Sequence, residues 1–248
     1  MSLSSRVARK LGARFGGAII RVRTEEPVAA LTFDDGPDPH HTPQLLDILA
    51  SGGAKGTFFV VGEAASRHPQ LVARIHAEGH AIGNHSWSHP SFPLLPANSR
   101  RLQIERCAQV LPPPDTRLFR PPYGHQSWRS RIQAWRLGYL VIGWDCHCED
   151  WRTHTPEELH RALSGRIKPG SIVLLHDTLY KTVDSSRRDR APLLAALQML
   201  FEETRDKITF VTLPELLRRG RPVSRKWIWH PDPALTDQYN EDPAPATD

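Results

Sequence analysis

Cysteine is scarce in this chain of 248 residues, which contains three. Cys107 stands alone, and Cys146 and Cys148 are separated by one residue. A small and odd number of cysteines does not suit the disulfide framework of a small secreted domain. We therefore expect free thiols and a reducing compartment.

Long apolar runs are also missing. No stretch approaches the ~20 apolar residues of a membrane-spanning helix, and apolar segments such as 172–175 have the length of buried strands. Near the N-terminus, Gly12, Arg14 and Gly16 interrupt the apolar segment that a cleaved signal peptide needs. We therefore expect no transmembrane helix, no cleaved signal peptide and a cytoplasmic location.

Acidic residues are absent from one end of the chain and basic residues from the other. Residues 1–23 contain six Lys or Arg and no Asp or Glu, whereas residues 232–248 contain five acidic residues and no Lys or Arg. The segment between them has 26 basic and 22 acidic residues, so the net charge of +5 is not concentrated in the body. This distribution argues against a nucleic-acid partner.

The basic N-terminal segment has an amphipathic pattern. Val7, Leu11 and Phe15 recur every four residues beside basic side chains, which suits a short helix on an anionic membrane surface. Gly12 and Gly16 weaken such a helix, so a helix packed on the fold or a disordered start stays open as an alternative. We hypothesise peripheral contact of residues 1–23 with the inner membrane face.

Strand and helix patterns alternate through the body of the chain. Strands are predicted at 28–33, 57–61, 80–83, 117–120, 139–144, 171–175 and 208–211, with helices at 42–51, 69–78, 98–111, 128–135, 155–167, 191–205 and from 212. Thr42, Thr155 and Thr212 are the predicted N-caps of three helices. Seven or eight βα units of this length predict a parallel, closed or nearly closed (β/α) barrel.

The predicted division of the chain has three parts. A basic arm covers residues 1–26, one barrel domain covers 27–222, and an extension covers 223–248. The end of this extension has almost no apolar content and is rich in Pro and Asp, which predicts a largely disordered acidic tail.

Polar side chains follow the predicted strands at the edge where βα barrels hold their active sites. Asp34 and Asp35 end the first strand, and His85 and His89 have the i, i+4 spacing that places two imidazoles on one face of a helical turn. Taken alone, the acids suit a turn, and the histidines suit a surface or a cap as well as they suit a metal. One carboxylate with two imidazoles, however, is a common catalytic metal set that leaves positions open for water and substrate.

Five segments in order resemble the motifs of the polysaccharide deacetylases, which are carbohydrate esterase family 4 with its NodB homology domain. They are 32–37 (TFDDGP), 85–90 (HSWSHP), 120–124 (RPPYG), 149–151 (EDW) and 173–177 (VLLHD). The resemblance extends over roughly residues 28–220, and five matches in the right order are far more specific than any one of them. It is strongest toward small chitooligosaccharide and peptidoglycan deacetylase domains.

The resemblance implies an α/β fold, a distorted (β/α)7-8 barrel, and metal-dependent removal of an N-acetyl group from a sugar. Asp35, His85 and His89 match the metal ligands of the family. Asp34 matches the general base, and Arg120 matches the residue that orients this base.

The remaining matches concern the leaving group and the substrate. His176 would be the general acid, with Asp150 as its orienting partner and Trp151 as a wall of its pocket. The backbone N–H of Tyr123 would help to bind the oxyanion, and Pro122, Tyr123 and Trp151 would contact the substrate. These parts supply what amide hydrolysis needs, namely an activated water, a stabilised oxyanion and a proton for a poor leaving group.

The implied cofactor is a divalent metal, with zinc first and cobalt or another divalent ion as alternatives. The implied partner is an N-acetylated glycan of chitooligosaccharide, peptidoglycan or lipid-linked type. An O-acetyl esterase acting on xylan and a catalytically silent glycan-binding module stay open as other functions. A ferrous oxygenase also uses one carboxylate and two histidines, but its usual β-sandwich conflicts with the βα pattern. The sequence does not indicate an oligomeric state.

One position departs from the family pattern. The fourth motif is Asp-x-x-Asp-Trp, and His147 occupies the place of its first Asp. This change puts the local substrate contact or loop geometry in doubt. Cys146, His147 and Cys148 are not expected to form a second metal site, because alternation along a strand places His147 opposite both thiols.

The hypothesis about the N-terminal arm predicts lipid binding. The full chain should sediment with anionic vesicles and not with neutral ones, and binding should weaken at high salt because surface charges are screened. Leu11→Asp, which breaks the apolar face, should reduce binding. Failure to sediment with anionic vesicles would refute the hypothesis.

Overall fold

The computed structural model describes residues 17–182, 184 and 187–226. Its strands are β1 (Ala18–Arg23), β2 (Val28–Asp34), β3 (Gly56–Val60), β4 (Ala81–Asn84), β5 (Leu118–Phe119), β6 (Leu140–Val141), β7 (Cys146–His147), β8 (Ile172–His176), β9 (Thr209–Phe210) and β10 (Arg221–Arg225). Its α-helices are α1 (His41–Ser51), α2 (Gly62–Arg67), α3 (Pro69–Ala77), α4 (Ala97–Gln109), α5 (Trp128–Arg136), α6 (Pro156–Ser164), α7 (Ala191–Thr204) and α8 (Leu213–Arg218).

A curled parallel sheet forms a half-barrel at the centre of the fold. Its strand order is β6-β5-β4-β3-β2-β8-β7, and β9 pairs with the beginning of β2. Every pairing in this sheet is parallel, as expected for strands joined by helical crossovers. The predicted α/β barrel class is therefore confirmed. In the described part of the chain, β6 and β7 form the two edges of the sheet.

The central strand β2 is buried along its whole length because both faces of the sheet are covered. On one face, Phe33 packs with Leu45 of α1 and Leu197 of α7 in the larger apolar cluster. On the other face, Val28 and Ala30 belong to a second cluster inside the curl of the sheet. Apolar side chains of β2 thus pack on both faces of the sheet and hold the strand in place. Its C-terminal acids are thereby presented at the sheet edge.

Two of the three predicted N-caps are present. The Thr155 side chain accepts from the backbone N–H of Glu158 in a complete capping box, and Thr212 caps α8. The prediction for Thr42 is wrong, because α1 begins one residue earlier. Asp38 Oδ1 instead accepts from the backbone N–H groups of His40 and His41.

The helices have six to fourteen residues, and in the described segments none combines the length and apolar character that crossing a membrane requires. The short helix α2 was not predicted, because it has only six residues and a single residue, His68, separates it from the next helix at Pro69. It lies directly after β3 and therefore begins at the same sheet edge as the predicted site.

An antiparallel ribbon of β1 and β10 extends the fold beyond the predicted barrel domain. Ala18 pairs with Arg225 and Arg23 with Arg221, and Ile19 also bridges to Ile142 beside β6. The boundaries predicted at 26/27 and 222/223 leave β1 in the arm and divide β10. The arm was defined by its charge alone. Charge does not reveal β1, because this strand forms by pairing with β10, about two hundred residues away in the chain. The membrane and tail predictions for residues 1–16 and 227–248 lie outside the described residues.

The turn before β8 depends on Gly170, which has a φ of 84° and packs against β1. A Cβ at this position would lie 1.7 Å from the Val22 carbonyl oxygen. Gly138 has the same φ of 84°, but a Cβ there would meet nothing within 4 Å.

These two glycines allow a matched test. Gly138→Ala should cost about 1–2 kcal/mol, the cost of the left-handed backbone alone. Gly170→Ala should lower the free energy of unfolding clearly more, because the new methyl also overlaps the carbonyl of Val22, whose N–H joins β1 to the Gly170 carbonyl. Urea unfolding of both variants measures this difference, and equal losses would show that β1 does not pack as described.

Candidate active site

The C-terminal edge of the sheet gathers the predicted site residues. Asp34 ends β2, Asp35 begins the following turn, and His176 ends β8. The other predicted residues lie on loops that follow β4, β5 and β7, and they are His85, His89, Arg120, Pro122, Tyr123, Asp150 and Trp151. All of these are buried except Tyr123, Trp151 and His176, which are half-buried.

Asp35, His85 and His89 form the one cluster suited to a metal ion among the residues that the structure describes. Asp35 Oδ1 lies 3.3 Å from His85 Nε2 and 3.0 Å from His89 Nε2. Asp35 and His89 have left-handed backbone conformations, with φ of 81° and 61°. These turns aim three side chains from two loops at one point.

The donor set fits a divalent cation. His85 Nδ1 lies 2.8 Å from the Arg120 carbonyl oxygen, which can only accept, so Nδ1 carries the proton and Nε2 presents a lone pair. Asp35 Oδ1 is buried and makes no hydrogen bond. A carboxylate oxygen that faces the Nε2 lone pair of His85 is repelled unless a cation lies between them. Tetrahedral ligands with bonds of ~2.0–2.1 Å are about 3.3 Å apart, close to the separations observed here.

The charge states of the cluster suit the same ligand. Burial lowers the pKa of His89 more than Asp35 raises it, so its imidazole is neutral at pH 7. Burial raises the pKa of Asp35, but His89 and His85 outweigh this effect and hold it well below its ordinary value. An ionised Asp35 and a neutral His89 are in the protonation states that metal binding requires.

Asp34 is held by a completely buried arginine. Arg120 Nη1 donates to Asp34 Oδ1 at 2.7 Å and to Thr32 Oγ1 at 2.8 Å, and Nη2 donates to the Gly143 carbonyl oxygen. Its guanidinium stacks over Phe59, 4.3 Å from the ring centroid. One Asp34 oxygen is thus bound, while Oδ2 lies 3.7 Å from His85 Nε2 at the border of the metal cluster.

His176 is held by Asp150 through two atoms. The Nδ1 atom lies 3.0 Å from Asp150 Oδ1, and the backbone N–H of His176 donates to Asp150 Oδ2 at 2.8 Å. Burial lowers the pKa of His176, but Asp150, with smaller contributions from Asp35 and Asp34, outweighs it and raises the pKa to about 9. At pH 7 the imidazole is therefore cationic, with Nδ1 bound to Asp150 and Nε2 left to act on a substrate.

Trp151 and His147 form one stack beside the histidine. The edge of Trp151 meets His176 at 5.7 Å between ring centroids, and His147 lies 5.4 Å from Trp151 on a tilted plane. The residue that departs from the family motif therefore contacts Trp151. Cys146 and Cys148 instead lie in the apolar core, where burial raises the pKa of the Cys146 thiol to about 12.

Tyr123 has the left-handed conformation, with φ 58° and ψ 7°, within the short 3-10 turn Pro122–Gly124. Its ring meets His89 edge-on at 4.4 Å between centroids. Pro122 is buried directly before it. The third motif thus places a backbone turn next to a predicted metal ligand.

Sequence reasoning misses Arg190 because it ends the charged run 187–190 (RRDR), a pattern that is typical of a solvated face. It is buried, its Nη1 donates to the Asp150 carbonyl oxygen at 2.8 Å, and the same nitrogen lies 3.6 Å from Asp150 Oδ2. Nothing in its sequence pattern distinguishes it from the exposed arginines nearby. Only the fold brings it to the partner of His176.

Comparison with known proteins gives consistent relatives. The family model described as "Polysaccharide deacetylase" matches residues 21–142. A peptidoglycan-N-acetylglucosamine deacetylase of Bacillus cereus is 36% identical over 79% of this chain and 91% of its own length. A chitooligosaccharide deacetylase of Sinorhizobium fredii is 35% identical over 75% of this chain and 90% of its own length.

Solved structures agree with the sequence relatives. A crystal structure of a peptidoglycan N-acetylglucosamine deacetylase in complex with a naphthyl N-hydroxybenzamide superposes with a TM-score of 0.73 at 30% identity. The match covers 82% of this chain and 93% of that one. With relatives above 30% identity that it spans over about nine tenths of their length, the chain belongs to the polysaccharide deacetylase family.

Proposed function

We propose that this protein hydrolyses the N-acetyl group of an N-acetylated glycan and releases acetate. The observation that carries the proposal is the arrangement of three sites at one buried edge: the Asp35, His85 and His89 cluster, the Asp34 carboxylate beside it, and the cationic His176. Relatives named as peptidoglycan and chitooligosaccharide deacetylases support the substrate class.

Asp34 is the proposed general base. Its Oδ1 is bound by Arg120, which prevents the carboxylate from rotating away, and its Oδ2 faces the metal cluster. A water held at this border would lie within reach of Oδ2, which would accept a proton as the water attacks the acetyl carbon.

His176 is the proposed general acid. Its raised pKa of about 9 keeps the proton available at neutral pH. An amine leaves poorly unless it is protonated, so Nε2 would donate to the amide nitrogen as the bond to the acetyl carbon breaks. Asp150 holds the ring and stabilises its charge, and Arg190 in turn holds Asp150.

Asp35, His85 and His89 would hold the metal, for which the donor set suits zinc first and cobalt as an alternative. When bound, such a metal supplies an acidified water and polarises the acetyl carbonyl. The backbone N–H of Tyr123 is proposed as a second stabiliser of the oxyanion. Pro122 and Trp151 are proposed substrate contacts, with Trp151 forming the wall beside His176.

Acetate release is the direct test of this function. The metal-loaded protein should release acetate from N-acetylglucosamine oligomers or peptidoglycan fragments, and chelation should abolish the activity. Asp34→Asn should lower kcat/KM by about 10²–10⁴-fold, the usual contribution of a general base. Asp47→Asn, which changes an exposed carboxylate on α1, should have no effect. Release from acetylxylan alone would favour the O-acetyl esterase, and release from no substrate would favour a silent glycan-binding module.

The proposed acid also predicts a shift in pH dependence. Activity requires protonated His176 and is lost as the pH rises through its pKa. Removing the Asp150 charge leaves burial, which lowers this pKa, so Asp150→Asn should move the alkaline limb of kcat/KM to lower pH. Glu149→Gln, at a half-buried neighbour paired with Arg152, should leave the limb in place. An unmoved limb in Asp150→Asn would exclude His176 as the acid.

A further inference from the structure

The loop after β8 contacts Oδ2 of the Asp35 carboxylate, whereas the two imidazoles lie near Oδ1. The backbone N–H of Tyr180 donates to Asp35 Oδ2 at 3.0 Å. His85 and His89 approach Oδ1. Each carboxylate oxygen thus has its own partners, and the contact with Tyr180 sets the rotation of the carboxylate that aims Oδ1 at the histidines.

Tyr180 is itself anchored to α2. Its hydroxyl donates to the Glu63 carboxylate, and Arg67 Nη2 donates to the same hydroxyl at 3.4 Å. The Arg67 guanidinium also lies over the Tyr180 ring, 5.9 Å from its centroid. The position of the Tyr180 backbone therefore depends on a side-chain contact with a helix outside the five family motifs.

Glu63 joins the histidine loop to the β8 loop that contacts Asp35. Its backbone N–H donates to the Trp87 carbonyl oxygen at 2.9 Å, and the adjacent Gly62 N–H donates to the Ser86 carbonyl oxygen at 2.9 Å. Both carbonyls lie between His85 and His89. Through its backbone Glu63 thus binds the histidine loop, and through its side chain it binds the residue that orients Asp35.

A second contact ties the β8 loop to the turn that carries Asp35. The Thr42 hydroxyl donates to Asp177 Oδ2 at 2.5 Å, and Asp177 packs so closely on Gly36 that a Cβ there would lie 2.0 Å from Oδ2. With Asp177 fixed, the hydrogen bond between the Tyr180 hydroxyl and Glu63 restrains the movement that the loop still allows to Tyr180.

We propose that Tyr180 and Glu63 are positioning residues that hold the Asp35 carboxylate and the histidine loop in the geometry for metal binding. This inference rests on the proposed metal site and adds two residues to it. Outer contacts of this kind commonly change metal affinity by about 10–100-fold. The side chains act on Asp35 through the Tyr180 backbone, without touching the metal.

The test is titration of the metal-free full chain with zinc in competition with a chromophoric chelator. Tyr180→Phe and Glu63→Ala should each raise the zinc Kd by about 10–100-fold. Glu63→Gln keeps an acceptor for the tyrosine hydroxyl and should retain most of the affinity. The double variant of Tyr180→Phe and Glu63→Ala should bind more tightly than the product of the single effects predicts, because both changes remove the same bond.

Tyr139→Phe is the matched control. The Tyr139 hydroxyl also donates to a carboxylate, Asp115 at 2.5 Å, but it does so among the side chains packed under α5. Its loss should leave the zinc Kd unchanged, and the cobalt absorption spectrum should change only in the Tyr180 and Glu63 variants. Unchanged zinc affinity in Tyr180→Phe, beside a wild-type protein that binds zinc and releases acetate, would overturn the positioning role alone. A wild-type protein that binds no zinc or cobalt would overturn the metal site as well.

Discussion

The burial of two adjacent carboxylates at the end of β2 is the constraint on which the site depends. Ionised carboxylates are costly to bury unless each has a compensating charge or hydrogen bond. Asp34 is compensated by Arg120, which is itself completely buried and stacked on Phe59. Asp35 accepts from the backbone N–H of Tyr180 on one oxygen, and its other oxygen faces two imidazoles at the proposed metal position. The two acids thus have separate partners, and separate partners allow separate chemical roles.

The β8 strand and its loop connect the halves of the site. His176 ends the strand against Asp150, and Asp177, one residue later, binds Thr42 of α1 and packs on Gly36 in the turn after β2. Tyr180 then reaches Asp35, and Arg190, at the end of the same loop, holds Asp150 from the other side. The proposed acid and the proposed metal cluster are therefore positioned by one continuous segment. A change in this loop should disturb both together.

Local patterns in the sequence were sufficient for the parallel sheet, most helices and the clustered motif residues. The strand β2 was readable because it is apolar on both faces, and the capping box at Thr155 is contained within four residues. The failures concern distant partners. The pairing of β1 with β10, the burial of Arg190 and the contact of Tyr180 with Asp35 join residues far apart in the chain. Thr42 failed as a cap because α1 begins before it, at His41, and its hydroxyl instead contacts Asp177 and the Asp38 N–H.

The central claim is that Asp35, His85 and His89 hold a catalytic metal, and that Asp34 lies beside this metal without binding it. X-ray absorption at the metal edge tests this claim most directly. The zinc-loaded wild-type protein should bind one equivalent, with two imidazoles and oxygen donors at ~2.0–2.2 Å. Asp34→Asn should give the same spectrum, because this carboxylate is proposed to act on water and not to bind the metal. Absence of imidazole scattering, or a thiolate at ~2.3 Å, would contradict the assignment.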